Sequence, residues 1–64
     1  MVKINGEEYD YAGHNVQEVI TELGYVKERI AVERNEEIIP KSTYEEVILN
    51  DGDTVEVVSF VGGG

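Results

Sequence analysis

Thr54-Val55-Glu56-Val57-Val58-Ser59-Phe60-Val61-Gly62-Gly63-Gly64 is the stretch on which the fold turns. Thr54 to Val61 is rich in β-branched residues, which favours a strand. The turn signal Asn50-Asp51-Gly52-Asp53 precedes it, and three glycines follow with no polar linker between. Alternation along the strand puts Val55 and Val57 on one face and Glu56, Val58 and Phe60 on the other. Glycine, lacking a Cβ, threads a narrow channel at least steric cost. The segment 61–64 is therefore expected to be a flexible stalk reaching about 13 Å beyond the body, at roughly 3.3 Å per residue. Its carboxylate, on Gly64, is the candidate functional group, and Gly62 and Gly63 are the candidate threading residues.

Upstream, Met1 to Asn5 alternates apolar and polar, and Asn5-Gly6 signals a tight turn into a strand around Tyr9 to Ala12. Asn15 is placed as a helix N-cap, with Glu18 three positions later in a capping-box arrangement. Val16, Val19, Ile20 and Leu23 make one apolar stripe, and Gly24 ends the helix. Ile30 to Arg34 reads as a strand, Asn35-Glu36 as its turn, and Glu37 to Ile39 as a short return strand halted by Pro40. Ser42 with Glu45 is expected to cap one more helical turn that carries Tyr44 and Val47 on one side.

Because the helical stripe must cover a sheet face, this order predicts an α+β fold, a mixed sheet of about five strands packed on one main helix. The economical closure sets the last strand beside the first, parallel to it, in the middle of the sheet. Val58 and Phe60 then lie exposed on the open face next to the tail, and with Val61 they are the candidate partner interface.

Composition narrows the function. Sixty-four residues make one domain, 1–64, burying about 60% of its unfolded-chain surface. A deep, self-contained active site is not expected. Without cysteine there is no disulfide framework, thiolate nucleophile or zinc–thiolate site. Fourteen Asp and Glu against five Lys and Arg give a formal charge of −9, which repels nucleic acid and suits a basic protein partner. Apolar runs are short and no signal peptide is evident, so a cytoplasmic protein without membrane attachment is expected. No Gly-rich phosphate loop precedes a Lys-Ser or Lys-Thr, which leaves any ATP to a partner. His14, the only histidine, reads as a solvated loop residue, and the pairs Glu7-Glu8, Glu36-Glu37 and Glu45-Glu46 as solvated charge. Tyr9, Tyr11, Tyr25 and Tyr44 read as core-edge residues.

Val32-Glu33-Arg34-Asn35-Glu36-Glu37-Ile38-Ile39-Pro40-Lys41, the Asp51-Gly52-Asp53 turn and the closing Phe60-Val61-Gly62-Gly63-Gly64 resemble the sulfur carrier proteins of thiamine biosynthesis. The resemblance spans almost the whole chain and implies a β-grasp body, the ubiquitin-like fold. It also implies a carrier rather than an enzyme. An E1-like adenylyltransferase, using ATP and magnesium, would activate Gly64, and a sulfur donor such as a cysteine desulfurase would convert it to a thiocarboxylate. A thiazole synthase would take the sulfur. The chain itself is expected to bind no cofactor and no metal. Molybdopterin-synthase carriers and ubiquitin-like modifiers share the terminal glycines, and a purely non-covalent interaction domain is a further alternative.

Overall fold

The computed structural model describes residues 1–60; Val61 to Gly64 lie outside the described residues. Five strands and one α-helix follow in the order β1 (Val2–Ile4), β2 (Glu7–Tyr9), α1 (Val16–Glu22), β3 (Ile30–Arg34), β4 (Glu37–Ile38) and β5 (Thr54–Ser59). The sheet order is β2-β1-β5-β3-β4. β1 and β5 are parallel, and the other neighbours are antiparallel. The last strand thus occupies the centre beside the first, as economical closure of the sheet over the helix predicts.

Asn5 and Gly6 take φ of 50° and 86°, the left-handed pair a two-residue hairpin turn requires. That turn fixes the register Ile4↔Glu7, Lys3↔Glu8, Val2↔Tyr9. The second strand is accordingly Glu7–Tyr9 rather than Tyr9 to Ala12. Pairing begins directly after the turn, and the chain past Tyr9 bends away, with Gly13 N–H donating to Leu49 O at 2.8 Å.

α1 is only seven residues long, too short to persist on propensity alone. Its two ends are closed locally. Asn15 Oδ1 accepts from Glu18 N–H at 2.8 Å, and Glu18 Oε1 accepts from Asn15 N–H at 3.2 Å, completing the capping box. At the other end Gly24 adopts φ 86°, Gly24 N–H reaches Thr21 O at 3.1 Å and Tyr25 N–H reaches Ile20 O at 2.9 Å, a Schellman closure. Val16, Val19 and Ile20 are buried against Val2, Ile4, Ile30, Val32, Val55 and Val57 of the sheet, with Leu23 packed at the margin.

The further helical turn differs from expectation. It is a 3₁₀ turn at Lys41–Thr43 that starts directly after Pro40, and no side-chain cap closes it. Ser42 and Glu45 are both exposed, while Thr43 Oγ1 donates to Pro40 O at 2.7 Å. Tyr44, which follows it, lies at the centre of the core with 0% exposure rather than at its edge. Its hydroxyl has no hydrogen-bond partner of good geometry among the described residues, and burial pushes its pKa up. Tyr9, Tyr11 and Tyr25 do sit at the margin, half-buried.

Candidate functional site

The site is built around the end of β5. In the sheet's centre this strand is gripped from both sides. Toward β1, Val55 O accepts from Asn5 N–H at 3.0 Å. Beyond that point β1 has ended, and the Asn5 side chain takes over the pairing: its Oδ1 accepts from Val57 N–H at 2.8 Å and its Nδ2 donates to Val57 O at 3.2 Å. One carboxamide so replaces a strand neighbour's peptide group. Toward β3, the register runs from Arg34↔Val55 to Ile30↔Ser59, and Phe60 N–H donates to Arg29 O at 2.7 Å. At the start of β5, Asn35 repeats the device: Asn35 N–H donates to Thr54 O at 2.7 Å and Asn35 Oδ1 accepts from Thr54 N–H at 3.0 Å.

Alternation then decides what each face of β5 offers. Val55 and Val57 are buried under α1, whereas Glu56, Val58 and Phe60 are exposed, Val58 by 49% and Phe60 by 57%. The structure therefore brings Val58 and Phe60 together at the root of the tail. Val61, Gly62, Gly63 and Gly64, the remaining candidates, lie outside the described residues.

Lys41 joins this group. Its Nζ donates to Ile30 O at 2.6 Å and lies 5.9 Å from the centre of the Phe60 ring, within range of a cation–π contact. The sequence marks Asn5 and Asn35 only as turn residues and gives Lys41 no role at this site. For the asparagines the turn chemistry was visible, but their hold on β5 spans 52 residues for Asn5 and 19 for Asn35, which no local pattern reports.

The remaining polar candidates make no site. His14 is exposed, with Nδ1 3.7 Å from Glu18 Oε2 and the ring edge-on to Tyr11. Among the described residues no group of three or more His, Cys, Asp or Glu is placed to hold a metal ion. No helix among them is long and apolar enough to cross a membrane.

A family model described as the ThiS family matches residues 2–64. The chain belongs to the ThiS family. It is 38% identical to the sulfur carrier protein ThiS of Bacillus subtilis, and the match covers 100% of both chains. It is also 52% identical, over 62 residues, to a thiazole synthase of Paramagnetospirillum magneticum. That match covers 95% of the present chain but 19% of the synthase, so the ThiS-like segment spans about a fifth of that relative's length. The crystal structure of the thiamine biosynthesis protein ThiS from Geobacter metallireducens superimposes with a TM-score of 0.78 at 33% identity, covering 98% of this chain and 97% of that one. The β-grasp fold that the resemblance implies is the fold this chain shares with that ThiS structure, and the mixed sheet on one helix expected from the element order agrees with it.

Proposed function

We infer that the chain is a sulfur carrier of thiamine biosynthesis whose cargo is held at the Gly64 carboxyl. The carrying observation is the match to the ThiS family over residues 2–64, glycines included. The geometry supports it: a central strand, pinned on both sides, ends at Ser59, two residues before the glycine run in sequence, so the body serves as a handle and the tail as the working end.

A carboxylate is anionic and resonance-stabilised, and it must be activated before sulfur can enter. A Gly64 carboxylate oxygen attacks the α-phosphorus of ATP, which is held with magnesium on an E1-like adenylyltransferase, and pyrophosphate leaves. The terminal sulfur of a persulfide, supplied from a cysteine desulfurase, then attacks the acyl carbon and expels AMP. A thiol reduces the resulting acyl disulfide, and a thiocarboxylate remains on Gly64. A thiazole synthase consumes it with the tail inserted into its active site. That ThiS-like segments occur within the chains of thiazole synthases supports this pairing, since linkage raises the effective concentration of one part for the other. Gly62 and Gly63 keep the approach narrow, and Val58, Phe60 and Val61 meet the partner's surface. The chain is in this reading a co-substrate in the cytoplasm, not a catalyst.

The test is intact-mass measurement after incubation with the cognate adenylyltransferase, ATP and a sulfur donor. The expected product carries sulfur in place of one terminal oxygen. Deleting Gly64 is expected to abolish loading while leaving the melting temperature unchanged. Adducts on lysine would favour a ubiquitin-like modifier, transfer to a molybdopterin precursor would favour the molybdopterin pathway, and no ATP-dependent change at all would leave only a non-covalent interaction domain.

A further inference from the structure

The open face of the sheet is charged differently in its two halves. Between β1 and β2, Lys3 stands directly opposite Glu8, a favourable cross-strand pair. Between β3 and β5, Glu33 stands directly opposite Glu56, and like charges in that relation work against the fold. Glu36 adds a third carboxylate: with Glu33, Asn35, Thr54 and Glu56 it lines a depression of about 460 Å³, open to solvent. None of the three acids has an ion-pair partner among the described residues. Of the cations near this face, Arg34 is held by Ile48 O and Asp53 and Lys41 by Ile30 O, while Lys3, opposite Glu8 on one side and Thr54 on the other, makes no ion pair with these acids. Apolar side chains border the acids: Ile38 faces Glu33 and is 71% exposed, and Val58 faces Ala31 on the next row toward the tail.

We propose that the Glu33–Glu56 pair and its apolar border dock on a basic surface of the adenylating partner, with one arginine or lysine of that partner seated between the two carboxylates. The proposal rests on the sulfur-carrier reading above. Three features argue for this occupant. A guanidinium presents five donors in a fork, enough to bridge two facing carboxylates. An enzyme that binds the phosphates of ATP beside the point where the tail enters must keep that region electropositive, which complements a chain of formal charge −9. And Glu56 and Val58 belong to the strand that delivers the tail, so a surface that holds them also sets where the tail goes.

Loading of the full chain by the cognate adenylyltransferase, followed by intact mass, tests this with the double variant E33Q/E56Q. E45Q/E46Q, which removes the same charge from exposed positions away from this face, serves as the control. For E33Q/E56Q the KM for the carrier is expected to rise roughly tenfold with kcat unchanged, and to lose much of its salt dependence, against about twofold for the control. Its melting temperature is expected to equal or exceed that of the wild type, because a repulsive pair has gone. Equal KM values for the two double variants, a loss confined to kcat, or a defect seen only with the thiazole synthase would each overturn the proposal. A wild type that is never loaded would instead remove the carrier reading itself, and this proposal with it.

Discussion

The hairpins β1–β2 and β3–β4 turn through nearly the same backbone path with different residues. Asn5-Gly6 takes φ of 50° and 86°, and Asn35-Glu36 takes 51° and 71°. In both, the asparagine tolerates the left-handed region and extends its carboxamide to β5, Asn5 to Val57 and Asn35 to Thr54, with Asn35 also donating to Asp53 just before the strand. The second positions differ. Glycine at position 6 is the residue this turn favours; glutamate at position 36 is not, and it holds a carboxylate over the acidic depression. The first hairpin follows the local rule throughout, and the second departs from it at one residue facing the candidate docking surface. Departures of that kind concentrate where function competes with stability.

The asparagines should nonetheless differ in weight, and this gives the largest effect. Asn5→Gly keeps the backbone conformation accessible but removes both bonds to Val57, which are part-buried, and leaves a strand N–H without a partner. A loss of about 2 kcal/mol in denaturant unfolding is expected. Asn35→Gly removes exposed bonds, for which water substitutes, and should cost less than about half as much. Equal losses would mean that the two clamps are equivalent and that the root of the tail is no better fixed than the start of β5.

These two asparagines also mark how far the sequence is legible. The capping box of Asn15 and Glu18, the stripe Val16-Val19-Ile20-Leu23 and the central place of β5 are written in local spacing or follow from covering one sheet face, and the structure contains them. What was misplaced depended on register or long-range packing. The Asn5-Gly6 turn signal announces a second strand but not its register: expected around Tyr9 to Ala12, it starts at Glu7 because a two-residue turn obliges pairing to begin there. Tyr44 reads as a core-edge residue like the other tyrosines, yet directly after the 3₁₀ turn its ring lies at the centre of the core. The tail's root was recognisable from Val58 and Phe60, which alternation places outward. Glu33 and Glu56 each read as ordinary solvent-facing strand positions, and only the antiparallel register sets one against the other.

Exchanging the second turn residues breaks the comparison more directly. A Cβ at Gly6 would meet nothing within 4 Å, so a side chain introduced by Gly6→Glu has room to leave the backbone. Its cost is conformational alone, roughly 1 kcal/mol for a side chain held at positive φ. A loss much larger would show that the β1–β2 hairpin rejects a side chain for reasons of packing, and the two turns would not be comparable.

The reverse exchange, Glu36→Gly, should have the smallest effect on stability and is the most informative in sign. Glycine relieves the left-handed strain and withdraws one carboxylate from the neighbourhood of Glu33 and Glu56, both of which favour the folded state. Glycine also gives the unfolded chain more freedom, which offsets part of the gain. A net increase below about 1 kcal/mol is expected, read as a rise of a few °C in melting temperature for a chain of this size. If the acidic depression is a docking surface, the same variant should be loaded with a higher KM, because it has surrendered a charge the partner uses. Stability and docking would then move in opposite directions on one substitution. A Glu36→Gly protein that is both more stable and loaded as well as the wild type would show that the glutamate serves neither, and that the second hairpin departs from the rule of the first without a functional reason.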